Sequence, residues 1–216
     1  MKLFVTFALL LAGAAFAADV DNNLDGAASV LRNMIASGQI PAAVLVESEC
    51  IAVIPAAAKG GVIVGGEFGH GVVSCQTKSG WSSPAFVTLS GGSVGLQAGL
   101  EHQDIVLLMN KEGEQELSQG HWNLGARAVT IGADTSATGG VESKGWKTPV
   151  IVYTSSSGAY AGATFEGSKI GIDDQTMKSI YGANANLHSI LNGEVQAPPP
   201  AQSFMAALKQ VTANKS

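Results

Sequence analysis

Residues 50–99 read CIAVIPAAAKGGVIVGGEFGHGVVSCQTKSGWSSPAFVTLSGGSVGLQAG. Short β-branched runs alternate there with single and paired glycines. A glycine inside a strand packs nothing and loses more backbone freedom on folding than any other residue. So many in one strand-rich block point to bulges, bends or close backbone approach. They suit a small, strongly curved sheet better than a flat one. Candidate strands in and just beyond the block are 50–54, 61–67, 71–76, 84–90, 93–100 and 103–109, with Gly69, Gly80 and Gly91-Gly92 at breaks between them. Phe86 and Thr88 alternate with Ala85, Val87 and Leu89, the pattern of a half-buried strand.

Helical patterns flank this block. Asp21-Asn22-Asn23 offers an N-cap, and Leu24, Ala27, Val30, Leu31, Met34 and Ile35 fall near helical spacing, so residues 23–37 are expected to form an amphipathic helix ended by Gly38. Pro41 suits the first turn of a second short helix through Ser48. Asn110 is placed to cap a helix over 111–118. Residues 123–132 read as a strand and 134–145 as a loop. Residues 149–154 and 159–165 read as a late hairpin. Asp173-Asp174 caps a helix through Tyr181, and 184–191 form another. Ala197-Pro198-Pro199-Pro200-Ala201 reads as a stiff spacer before a terminal helix over 201–213. The fold class expected is α+β: a curved, glycine-rich, mainly antiparallel sheet or small barrel-like core with helices packed at both ends.

The first residues look like an export signal. Lys2 supplies the positive charge, Leu3 to Ala12 is apolar apart from Thr6, and Ala15-Phe16-Ala17 fits a cleavage site after Ala17. The apolar run is too short for a permanent bilayer span. Ala14 stands where a lipoprotein signal needs Cys. The expected organisation is a signal over 1–17, one domain over 18–195, and a Pro-rich spacer with its terminal helix over 196–216. The destination expected is the periplasm or the exterior. The net charge of −5 argues against nucleic acid as a partner and gives no general attraction to anionic surfaces. Charged residues are 13% and glycines number 27, values far from intrinsic disorder. The two cysteines, Cys50 and Cys75, flank strand-like runs. In an oxidising compartment they would form a disulfide; the alternative is a pair of buried thiols.

No strong catalytic or metal motif stands out. Gly91-Gly92-Ser93-Val94-Gly95 matches the G-x-S-x-G of hydrolases, but that motif needs strand, turn and helix in succession, and Val94 to Leu100 alternates like a strand. His70, His102, His121 and His188 are scattered, with no metal-binding spacing, so no metal is expected. Glu112, Glu114 and Glu116 read as a solvated helix face. Gly60-Gly61 and Gly65-Gly66 match neither phosphate-loop pattern. Lys59 beside Gly60-Gly61 offers a modest anion site of exposed backbone N–H groups and one ammonium; the other reading is a turn with a solvated lysine. Trp81, Trp122 and Trp146 sit near predicted loops, where tryptophan suits a membrane interface, a groove or a barrel plug.

A resemblance connects these pieces. Ile51-Ala52-Val53-Ile54-Pro55, Lys59-Gly60-Gly61, Gly65-Gly66 and Gly69-His70-Gly71 resemble the opening of the SYLF domain. Trp81 to Val87, Gly91 to Gln97, Asp104 to Leu108, Leu124-Gly125-Ala126 and Ala159 to Gly167 continue the resemblance over roughly residues 24–195. It implies a non-enzymatic module without catalytic residues or cofactor that binds membrane lipid, anionic phospholipids or phosphoinositides, and it carries actin as a partner by family association. Where that family often has basic residues, this chain has Glu67 and His70, and Ser155-Ser156-Ser157. Each missing cation removes about 1 kcal/mol of attraction to an anionic surface. The residues expected to meet the headgroup are Lys59, Gly60, Gly61 and Arg127. Trp81, Trp122 and the helix face of Leu31, Met34 and Ile35 are expected to meet acyl chains. The alternative functions are a protein-interaction module of the envelope, an outer-membrane barrel and a serine hydrolase.

Overall fold

The computed structural model of the chain describes residues 2–61, 64–94, 99–124, 129–131, 148–155 and 168–213. Four long or mid-length strands make the centre: β1 (Cys50–Gly61), β2 (Val64–Thr77), β4 (Ala85–Val94) and β5 (Gly99–Met109). The short β3 (Gly80–Trp81) pairs with β2. Later come β6 (His121–Asn123), β7 (Val129–Ile131), β8 (Val150–Thr154) and β9 (Lys169–Ile172). Among the described residues these form one sheet in the order β6-β9-β4-β2-β1-β5-β8-β7, antiparallel except for β7 against β8. The sheet curls into a half-barrel with helices from both chain ends packed on it, so the α+β expectation holds.

The glycines lie inside strands, not between them. Gly60, Gly61, Gly65, Gly66, Gly69 and Gly71 all stand in ladder register, and β1 and β2 each run well past the expected limits. The reason is a bulge in β1. Register with both neighbours slips by one between Ile54 and Ala57, and Ala56 takes a positive φ of 49°. The Ala56 N–H donates to Asp104 Oδ1 at 3.0 Å. Pro55, at this bulge, is thereby tolerated in a strand that is paired on both sides. The bulge presses Ile54 and Ala57 onto β2. A Cβ at Gly69 would lie 2.7 Å from Ile54 Cγ2, and one at Gly71 would lie 2.5 Å from the Val53 carbonyl oxygen. Only glycine fits at either place, which is the close approach its abundance suggested.

Below the bulge the sheet is covered on both faces. Ile51, Val53 and Ile54 are fully buried, as are Ile105 to Met109, and every residue of β8 is buried. Cys50 and Cys75 stand opposite each other in β1 and β2 and form a disulfide across 25 residues. Such a loop constrains the unfolded chain by about 3 kcal/mol.

The elements around this centre depart from expectation in three places. The first helix, α1, runs unbroken from Lys2 to Ala36, so Asp21-Asn22-Asn23 is not its N-cap. Its first twenty residues are rich in Ala and Leu, strong helix formers, and contain no Pro. It ends as expected, with Gly38 left-handed at φ 71° and its N–H on the Ile35 carbonyl. Second, Pro198–Pro200 is not a free spacer. It turns through a short 3₁₀ segment (Pro199–Ala201) into α6 (Gln202–Ala213), which lies on α1. Phe204, Ala207, Leu208 and Val211 follow the i, i+3, i+4, i+7 spacing and are buried. Arg32 donates to the Ser203 carbonyl at 2.7 Å, and Ser203 Oγ donates to Asp25. Third, the expected strand over 123–132 is represented by β6 and β7, with 125–128 outside the described residues. The loop at 134–145 and the strand at 159–165 lie there too.

Three of the four remaining helices start at side-chain caps. The four are α2 (Ala42–Glu47), α3 (Lys111–Leu117), α4 (Asp174–Tyr181) and α5 (Leu187–Leu191). Asn110 Oδ1 accepts from Gly113 N at 3.0 Å, and Asp173 Oδ1 from Thr176 N at 3.0 Å. Asn186 and Ser189 make a reciprocal capping box, which begins α5 later than expected. Among the described residues no helix is long and apolar enough to cross a membrane.

Candidate functional site

Above the bulge, four strands continue beyond their helical cover. Their register places residues in rungs that cross β5, β1, β2 and β4. One rung is Gly99–Gly61–Gly65–Ser93, and the next is Leu100–Gly60–Gly66–Gly92. Then come Glu101–Lys59–Glu67–Gly91 and His102–Ala58–Phe68–Ser90, the last extended by Lys169 of β9. Alternate rungs face opposite ways. Gly66, Phe68, His70, Ser90, Gly92, His102 and Lys169 are exposed, while Glu67, Gly69, Leu89 and Gln103 are buried. One face of this end is therefore open.

Phe68 stands in that open face at 52% exposure, the one large hydrophobic residue so exposed among those described. The His70 ring meets it edge-on at 4.8 Å between centroids. The sequence signal for this pair is the run Gly66-Glu67-Phe68-Gly69-His70-Gly71. With period two, Gly69 and Gly71 turn towards Ile54 while Phe68 and His70 turn out. The sequence reading took Gly69 as a break and so missed them.

Glu67 belongs to the closed face. At 4% exposure, its Oε1 accepts from Gln103 Nε2 at 2.8 Å and its Oε2 from Ser168 Oγ at 2.9 Å. A Cβ at Gly91 would collide with Ser168 at 2.6 Å, so Gly91 makes room for this arrangement. Glu67 is a structural carboxylate, satisfied within the fold.

The expected site residues separate. Lys59, Gly60 and Gly61 lie in a strand paired with β2 on one side and β5 on the other. Their backbone is committed to the ladders, so the cradle of free N–H groups does not exist. Lys59 also stands in register between Glu67 and Glu101. Arg127 and Trp146 lie outside the described residues. Trp122 is 3% exposed in β6 and belongs to the core, and Trp81 is half-buried against it. Leu31 and Met34 are buried at 0% and 3%, with Ile35 packed beside them, because α1 lies on β1 and β2 and under α6. While α1 is docked, that face cannot meet acyl chains. Ser93 lies in strand β4 opposite Gly65, and the next described element is strand β5, so among the described residues no helix follows it to form the elbow a serine hydrolase requires. The sheet's outer strands β6 and β7 do not pair with each other among the described residues, which leaves the barrel unclosed there. Among the described residues no three His, Cys, Asp or Glu groups are placed to hold a metal ion.

A family model described as "Ysc84: Las17-binding protein actin regulator" matches residues 90–211, from the upper half of β4 through α6. The chain belongs to the Ysc84 family, that of the SYLF domain. Protein YSC84 of Saccharomyces cerevisiae is 30% identical over 201 residues, covering 85% of this chain and 42% of the yeast protein. LAS seventeen-binding protein 3 of the same organism is 28% identical, covering 79% of this chain and 38% of its own. The human SH3 domain-containing YSC84-like protein 1 is 27% identical, covering 80% and 52%. The chain thus spans about half or less of these relatives. No solved structure matches it. The matched segment includes α6, in keeping with the packing of that helix into the Ysc84 fold.

Proposed function

We propose that this Ysc84-family chain is a non-enzymatic, exported lipid-binding protein that meets anionic phospholipid or phosphoinositide headgroups through the open face of its glycine-rich sheet end. The observation that carries the reading is Phe68, half exposed on a face whose other exposed residues are glycine, serine, histidine and Lys169. An aromatic ring at a wet backbone surface suits the boundary between headgroups and acyl chains. Lys169, on the same rung, supplies a cation, and the small residues around it let a surface approach the backbone. The signal-like first residues and the buried disulfide support export into an oxidising compartment.

The test is co-sedimentation of the protein with vesicles of neutral, anionic and phosphoinositide-containing composition at two salt concentrations. Salt-sensitive binding to the charged vesicles is expected. Phe68→Ser should weaken it about tenfold, the worth of one aromatic side chain removed from water, with melting unchanged. Binding to none of the vesicles overturns the reading. That outcome would favour the second one, an envelope module with a protein partner. Two descriptions speak for it: the family model is that of a Las17-binding actin regulator, and one yeast relative is named a LAS seventeen-binding protein.

A further inference from the structure

A cavity of about 300 Å³ lies where α1 crosses β2 and β4 and meets the start of α4. Its polar lining is Asp19 and Asn23 of α1, His70 of β2, and Asp173 and Thr176 at α4, with Phe86 among the apolar walls. Among the described residues no lysine or arginine lines it, and neither Asp19 nor Asp173 has an ion-pair partner. Asn23 Oδ1 is buried with no hydrogen-bond partner. Asp173 already accepts from Thr176 N and from Thr176 Oγ1 at 2.8 Å, but a carboxylate has acceptor sites left over after two bonds. The cavity therefore offers two carboxylates and an orphan acceptor, backed by an aromatic wall. The volume matches small-ligand sites, which combine apolar walls with a few convergent polar groups.

We infer that this cleft binds an organic ammonium: a primary amine whose N–H groups satisfy Asn23 Oδ1 and the Asp19 and Asp173 carboxylates while its alkyl or aryl body lies along Phe86. The sign of the charge decides the class. An anion here would face two carboxylates with no lysine or arginine among the described lining residues to offset them, and a neutral alcohol would forgo the charge-assisted bonds. The cleft is distinct from the open sheet face, although His70 borders both, and the inference does not rest on the lipid reading. An ammonium reaches such a site as a free amine or on an ethanolamine headgroup.

Titration calorimetry of the full chain with 4-phenylbutylamine, 4-phenylbutanol and 4-phenylbutyrate tests the inference with a matched series of one cation, one neutral and one anion. The amine should bind at least about tenfold more tightly than the alcohol, the factor one charge-assisted hydrogen bond supplies, and the acid least of all. Amide resonances of Asn23, His70 and Thr176 should shift with the amine. Asp19→Asn combined with Asp173→Asn keeps the helix cap, since Asn caps as well as Asp, and should remove the preference for the amine. Equal affinities for all three, no binding by the amine, or an unchanged preference in the double variant overturns the inference. Competition by phosphatidylcholine vesicles containing phosphatidylethanolamine would assign the site to a lipid-borne ammonium. Failure of those vesicles to displace the amine would assign it to soluble amines.

Discussion

At Gly71 a single hydrogen in place of a methyl group decides whether two strands can cross. The Cβ that alanine would add falls 2.5 Å from a backbone oxygen and 3.0 Å from the Cα of Ile54, atoms that cannot swing away. Gly71→Ala should cost about 1–3 kcal/mol, the usual range for overpacking. At Gly92 an added Cβ meets nothing within 4 Å, so Gly92→Ala should leave urea midpoints unchanged. Equal midpoints for the two variants would dismiss the bulge as the cause. Tyr153 makes a second residue-scale case. Its hydroxyl is buried without a partner, and burial pushes its pKa up from 10.0 to about 12. Burial raises Tyr181 in the same direction, while its hydroxyl donates to the Pro84 carbonyl. For a group raised on folding, stability is intact below the unfolded pKa and is lost as pH climbs through the folded one. Melting temperature should therefore hold up to about pH 10 and fall towards pH 12, and Tyr153→Phe should soften that fall. At neutral pH the same variant should melt no lower than the parent, because no hydrogen bond is lost. A fall in alkali of the same depth in both proteins would refute this.

At the scale of elements, α1 shows how an apolar stripe can be read correctly and its target missed. The spacing of Leu24, Ala27, Leu31 and Met34 identifies one helical face, and all four are buried. Periodicity tells that a face seeks an apolar partner, not whether that partner is a bilayer or a sheet. The sheet and α6 take it here. Leu31→Asp should accordingly unfold the protein, read as lost near-UV circular dichroism, since it would bury an unpaired carboxylate in a tightly packed site. A folded Leu31→Asp variant that merely lost vesicle binding would restore the membrane role to this face. Two caps were legible because each is a local bond, Asn110 to Gly113 and Asp173 to Thr176, whereas Asp21-Asn22-Asn23 has cap-type residues yet lies inside α1. The glycine-rich strands were the least legible. A glycine in a sequence marks a turn or a close approach alike, and only the slip at Ile54–Ala57 tells which.

For the whole molecule, the two chain ends close the structure together. α6 lies on α1, tied by Arg32 and Ser203, so removing residues 201–216 should bare Leu31 and its neighbours. The truncated chain is expected to melt at least 10 °C lower, or to aggregate, given that loss of several buried side chains removes a few kcal/mol and each is worth about 2–4 °C at this size. An unshifted transition would make α6 a mere appendage. The α+β class, the strand-rich centre, the caps at Asn110 and Asp173 and the family resemblance were all determined by sequence alone, since each rests on short-range pattern or ordered motif. Lys59, Gly60 and Gly61 show where that reach ends: their types suggest an anion cradle, yet pairing on both sides consumes their backbone. Which face of the sheet stays open, which carboxylate is buried with partners and which lines a cleft, and where α1 spends its apolar stripe were decided only by tertiary structure. The physical reason is that these properties depend on what stands opposite each residue in space, and the bulge at Ala56, one residue of slip, sets that for two strands at once.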